Sequence, residues 1–254
     1  MFLEWELFEW RKSLTVSCVD SLKVRCADMA SRYLVIAAHP DDEVLGCGGT
    51  MCRMAAEGAR VFCLILGEGV TSRDENRDGE LRKKELDELR HTARKANALL
   101  GVEEVFFASL PDNRFDSVDL LDVIKVVERY VTDLRPEQIF THFGQDLNKD
   151  HQITCQAVLT ACRPLPGTSV KGIFSFPVLS STEWNFAQTF RPNYYVDIDS
   201  FLETKLEAMK AYSSELREWP HPRSLEAIGY EARLLGAHVG KNAVEAFQVL
   251  RWLG

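Results

Sequence analysis

Five apolar runs recur along the chain at wide spacing: RYLVIAA (32–38), RVFCLIL (60–66), EVFFASL (104–110), EQIFTHF (137–143) and KGIFSFP (171–177). The segments between them have helical character. GCGGTMCRMAAEG leads from the first run to the second and ends at Gly58, a residue suited to a helix C-terminus. ELRKKELDELRHTARKANALLG is charged and amphipathic, VDLLDVIKVVERYVTDL stops before Pro136, and DHQITCQAVLTACR stops before Pro164. Near-continuous apolar strands alternating with helices predict an α/β fold with a mostly parallel, Rossmann-like sheet covered by helices on both faces. Crossovers of this kind are right-handed. From about residue 190 the pattern changes. NYYVDI predicts an edge strand. The helical runs SFLETKLEAMKAYSSEL and RSLEAIGYEARLLGAHVG, followed by KNAVEAFQVLR, are expected to form a C-terminal helical cap. One domain over 30–254 is expected. Residues 1–29 are expected to be an extension outside the core, with Met29 as an alternative start.

The first run ends abruptly in His39, Pro40, Asp41, Asp42 and Glu43, followed by Gly46, Gly48 and Gly49. Packing gives no reason for a buried strand to run into a histidine and three acids. In open α/β sheets ligands gather at the carboxyl ends of the strands. His39 and the acids lie at the end of the first strand, His142 near the end of the fourth, and His151 opens the helix that follows. His39, Asp42 and His151 are a ligand set suited to a catalytic zinc with one position left for water. Asp41 beside them would take a proton from that water. Taken one at a time, these residues have simpler explanations. Asp41 or Asp42 could cap the helix that starts near Leu45, and Asp150-His151 could be a helix start with a solvated histidine.

The glycines do not make a nucleotide site. The His-Pro-Asp-Asp-Glu insert and the GxGG spacing depart from the dinucleotide fingerprint, and there is no GxxxxGK[ST]. Close packing of helix on strand is the better account. A net charge of −8 argues against a nucleic-acid binder. The seven cysteines (18, 26, 47, 52, 63, 155 and 162) include no CxxC pair and read as buried reduced thiols, as in a cytoplasmic protein. No apolar stretch is long enough for a transmembrane segment.

AHPDDEVLGCGGT resembles the signature of the LmbE-like (PIG-L) zinc N-deacetylases, and DLNKDH resembles their second motif. The resemblance covers Arg32 to Arg251. It implies hydrolysis of the N-acetyl group of an amino sugar or sugar conjugate, possibly nucleotide- or phosphate-linked. It also implies one Zn2+ held by His39, Asp42 and His151, with Asp41 as general base. Many members carry a histidine three residues before the metal histidine, where this chain has Asn148. Asn148 could donate a hydrogen bond to an oxyanion but cannot deliver a proton. His142 and His221 are then the candidates for that proton. The C-terminal PHPRSLEAIGYEARLLGAHVG resembles members from bacterial surface-glycan and sugar-nucleotide pathways, which makes His221 and Arg223 candidate substrate contacts. Asp112, Asn113 and Arg114 are candidates for holding sugar hydroxyls; Arg73 and Arg77 are weaker ones, in a stretch that also reads as a solvated lid. The rival readings are a zinc amidohydrolase of non-sugar N-acyl substrates and a non-catalytic Rossmann-like binding protein.

Overall fold

A computed structural model describes residues 30–73 and 81–254. The extension 1–29 with Cys18 and Cys26, Arg77 and the side chain of Arg73 lie outside the described residues. In chain order the elements are β1 (Arg32–Ala37), α1 (Asp42–Ala56), β2 (Arg60–Gly67), α2 (Lys83–Leu99), β3 (Glu104–Leu110), α3 (Leu120–Leu134) and β4 (Gln138–His142). They continue with α4 (Lys149–Ala161), β5 (Gly172–Phe176), β6 (Tyr194–Asp197), α5 (Leu202–Ala211), α6 (Leu225–His238) and β7 (Val244–Trp252).

The strands form one seven-stranded sheet in the order β3-β2-β1-β4-β5-β7-β6. β1 pairs in parallel with both β2 and β4, β2 with β3, and β4 with β5. β7 runs antiparallel to both β5 and β6. Residues of the central strands alternate between two cores. Val35, Cys63 and Ile65 face α1, α2, α5 and α6, while Leu34, Ile36, Phe62 and Leu64 face α3 and α4. Both faces of the parallel part are therefore covered, which is why those strands lack a polar face. The strand order reverses between β1 and β4. Chains leaving the two strands in opposite directions open a crevice at their carboxyl ends.

The closing segment KNAVEAFQVLR is not part of a helical cap. Its residues from Val244 onward form β7, inserted between β5 and the short edge strand β6. The two helices before it, α5 and α6, pack on the α1 face.

The glycines after the acidic turn let α1 lie close on its neighbours. A Cβ at Gly46 would fall 2.1 Å from the Phe176 ring, and one at Gly49 would fall 2.8 Å from Ile198. α1 breaks at Cys47, whose φ/ψ of −150°/26° are not helical. The groups freed there meet a buried ion pair. Glu245 on β7 accepts the N–H groups of Gly49 (2.9 Å) and Thr50 (2.6 Å). Lys205 on α5 donates to the Leu45 carbonyl (2.8 Å) and to Glu245 (2.6 Å).

Candidate metal centre

β1 ends at the crevice, and the chain turns sharply through His39–Asp42. Asp41 takes φ 107°, an uncommon conformation for a residue with a side chain. Its carboxylate makes no capping bond to α1. Instead Asp41 Oδ2 accepts from Arg223 Nη1 at 2.9 Å. Asp42 turns the other way. Its Oδ2 accepts the His39 N–H (2.9 Å) and stands 3.2 Å from both His39 Nδ1 and His151 Nε2.

The ligand atoms of His39, Asp42 and His151 all lie within 4.8 Å of one another. Asp42 Oδ1 is buried and has no hydrogen-bond partner, a costly arrangement for a carboxylate unless a cation completes it. The remaining nitrogens of the two imidazoles face carboxylates. His39 Nε2 is 3.0 Å from Asp150 Oδ2, and His151 Nδ1 is 3.0 Å from Asp146 Oδ1. A carboxylate on the far nitrogen fixes the ring and leaves the near nitrogen for a metal. Both acids are themselves held. Asp150 accepts the Phe115 N–H (2.9 Å), and Asp146 accepts the Ser181 and Thr182 hydroxyls and the Asn148 N–H (2.8 Å). The residues present therefore fit a metal ion: His39 Nδ1, His151 Nε2 and the Asp42 carboxylate would hold it.

The electrostatics agree. Burial opposes protonation of His39, yet Asp150, Asp42 and Asp112 together push it up to about 10. Burial pushes Asp41 up to about 8 despite the opposing pull of Arg223. The cluster has an excess of acids that a divalent cation would offset. Among the described residues no cysteine joins this cluster; burial raises Cys155 to about 11 and Cys162 to about 12, and holds Cys47 and Cys63 well above the usual thiol range.

A cavity of about 190 Å³ opens over this cluster. His39, Asp41, His151, Asp112, Asn113, Asn148 and Arg223 line it, joined by Ser72, Ser180 and Glu215. Asp112 Oδ2 accepts the Ser72 N–H (3.1 Å), and Asn113 Nδ2 donates to Ser72 Oγ (3.2 Å). Asn148 is occupied at both ends of its amide. Its Oδ1 caps α4 through the Asp150 N–H (2.8 Å), and its Nδ2 donates to Asn113 (2.9 Å).

Three expected contacts do not line the cavity. His142 is fully buried behind His151, with the two rings stacked at 3.9 Å. Its Nε2 accepts the Ala38 N–H at 2.7 Å, and burial holds its pKa well below the usual range. Its ring is enclosed and stands outside the cavity lining. His221 supports the loop instead: its Nδ1 accepts the Arg223 N–H (3.0 Å) and its ring meets Trp184 edge-on. Arg114 precedes the single turn 115–117, outside the cavity lining. Asp146 and Ser180 are not among the residues expected from sequence, where Asp150 figures as a helix start and as an alternative base to Asp41. The acids of GQDLNKDH, next to His151, are the one sequence signal for Asp146 and Asp150.

The PIG-L family, described as GlcNAc-PI de-N-acetylase, matches residues 34–162, a span that holds His39, Asp42 and His151 and the carboxylates of Asp146 and Asp150. The chain belongs to the PIG-L family. Across 202 residues it is 26% identical to the uncharacterized deacetylase YaiS of Escherichia coli, covering 77% of this chain and 98% of that one. It is 28% identical over 230 residues to the diacetylchitobiose deacetylase of Thermococcus kodakarensis, covering 86% of this chain and 82% of that one. Among solved structures, the N,N′-diacetylchitobiose deacetylase of Pyrococcus horikoshii has a TM-score of 0.71 at 21% identity, covering 88% of this chain and 85% of that one. A 4-carboxy-2-hydroxymuconate hydratase of Pseudomonas putida has a TM-score of 0.69 at 19% identity, covering 88% and 98%. The fold of this PIG-L member is thus shared with another chemistry, and its reaction has to be argued from the site.

Proposed function

We propose that this chain is a zinc-dependent hydrolase that removes the acetyl group from an N-acetylated amino sugar or sugar conjugate. The observation that carries the reading is the convergence of His39, Asp42 and His151 within 4.8 Å at the floor of a polar cavity, with Asp41 at the edge. Zinc bound there would supply Lewis-acid polarisation of the amide carbonyl and a water of lowered pKa. The chain's own residues account for the rest. Asp41, held by Arg223, accepts the proton of the attacking water. As the C–N bond breaks, Asp41 returns that proton to the leaving amine. Asn148, engaged at both ends of its amide, is not needed for that step. Arg223 favours the ionised carboxylate that can take a proton, while burial favours the neutral form that holds it for the leaving amine.

The relatives' names favour a sugar. They include diacetylchitobiose deacetylase and a 1D-myo-inositol 2-acetamido-2-deoxy-alpha-D-glucopyranoside deacetylase that is 31% identical over 176 residues. The cavity is small and polar. Among the described residues lining it, Arg223 is the only Lys or Arg, and it already faces Asp41. The test is acetate release from a panel of N-acetylated monosaccharides, disaccharides, sugar phosphates and sugar nucleotides by zinc-loaded protein. Turnover on any N-acetylated sugar of the panel, free or phosphate-linked, supports the reading. Turnover confined to non-sugar N-acyl amines, or none on any N-acyl compound, overturns it.

A further inference from the structure

Glu43 is fully buried two residues beyond Asp41, in the first turn of α1. A carboxylate withdrawn from water is costly unless its oxygens are well supplied with donors. Three donors converge on this one. Glu43 Oε2 accepts the backbone N–H of Asp41 at 3.0 Å. Glu43 Oε1 accepts the Tyr212 hydroxyl at 2.7 Å and Asn97 Nδ2 at 2.8 Å. Tyr212 follows α5 and Asn97 lies on α2, and both are fully buried. The carboxylate thus ties the acidic turn to two helices far away in sequence.

This bond falls at the one residue of the turn whose backbone is unusual. With φ at 107°, Asp41 is held in a conformation that surrounding contacts must maintain. It sends the Asp41 side chain toward Arg223 and the cavity, while Asp42 points back to His39. A first-turn Glu that takes the N–H of the cap residue is half of a capping box. The other half is missing here, since the Asp41 carboxylate makes no capping bond, and capping does not call for the Tyr212 and Asn97 donors on Glu43. Nor does Glu43 line the cavity.

We infer that Glu43 is a positioning residue for Asp41: with Tyr212 and Asn97, it fixes the Asp41 peptide so that this carboxylate faces the cavity rather than the metal ligands. The inference rests on the reading of Asp41 as the base. Replacing Glu43 by Gln turns one acceptor oxygen into a donor, so the set of three donors can no longer all be satisfied. The turn then relaxes. Small misplacement of a reacting group costs about 10²-fold in rate.

The experiment is a double-mutant cycle on zinc-loaded protein with Asp41→Asn, Glu43→Gln and the pair, reading kcat, KM, zinc stoichiometry and thermal unfolding. Glu43→Gln is expected to lower kcat about 10–100-fold while zinc stoichiometry is kept and KM changes little. In the Asp41→Asn background it should cost no further rate, because it acts only through Asp41. Tyr212→Phe, which keeps the carboxylate and removes one donor, should show a smaller loss of the same kind; it carries the test if Glu43→Gln does not fold. An equal loss with and without Asp41, or an unchanged kcat in variants that fold, overturns the inference. Failure of the base reading looks different: Asp41→Asn itself would then turn over at the full rate. If Asp41→Asn is slow and Glu43→Gln is fast, the base reading stands and Glu43 has no positioning role.

Discussion

Arg223 Nη1 lies 2.9 Å from Asp41 Oδ2, joining a loop near the C-terminal end of the chain to the acidic turn after the first strand. The guanidinium is steadied by Ser180, whose hydroxyl accepts from Nε at 2.7 Å, and by Glu215 at 3.9 Å. Arg223→Met should therefore leave zinc content unchanged but weaken turnover. A hydrogen bond to a charged group contributes about 1.5–3 kcal/mol, so kcat/KM should fall about 10–100-fold. Steady-state kinetics on a zinc-loaded variant check this. An undiminished kcat/KM would mean that the pair has no part in the chemistry.

Asp146 and Asp150 support the two histidines from behind. Asp146→Asn and Asp150→Asn should each weaken metal affinity about 10–100-fold. Turnover should be largely recovered at saturating zinc, because neither residue lines the cavity. Competition with a chelator gives the affinity. Wild-type affinity in both variants would remove the supporting role.

The Lys205–Glu245 pair fills the break in α1 and is almost wholly buried. Removing one partner leaves the other charged and unpaired, along with the freed groups of the helix. Glu245→Ala should destabilise the fold by about 3–5 kcal/mol in urea unfolding. A loss below 1 kcal/mol would show that water replaces the pair at little cost.

Glu231 on α6 gives a pH dependence away from the metal. Burial pushes its carboxyl up to about 7 from an ordinary 4.5, with Lys205 pulling the other way. The folded chain then holds this proton more tightly than the unfolded one. Its contribution to stability is fully present below about 4.5 and is lost as pH rises through about 7. Glu231→Gln should leave the melting temperature unchanged at low pH and raise it above pH 7 relative to wild type. Parallel melting curves across the whole range would contradict the assignment.

Much of this architecture was legible in the sequence because buried parallel strands are unbroken apolar runs, and β1 to β5 all announce themselves in that way. His39 and Asp42 stood out because charged residues at the end of β1 have no packing explanation, and His151 because it opens the helix after β4 and falls in the second motif of the resemblance. β7 was not, because VEAFQVL has apolar residues at spacings that suit a helix as well as a strand, and only its partners β5 and β6 decide. His142 misled because its place in a strand end looks the same whether its ring faces the cavity or stacks behind His151. Glu43, Lys205 and Glu245 were invisible as buried groups: an acid or a lysine in a sequence reads as solvated until the tertiary fold brings its partners.

Zinc content and acetate release for Asp42→Ala and Asp41→Asn, measured side by side on an N-acetylated sugar that the wild-type protein turns over, bear most directly on the account of the site. Asp42→Ala is predicted to lose zinc and turnover together. Asp41→Asn is predicted to keep zinc at wild-type stoichiometry and lose about 10²–10⁴-fold in rate, the range for a missing general base. Loss of zinc from Asp41→Asn with retention in Asp42→Ala, or near-full turnover by Asp41→Asn, would contradict it.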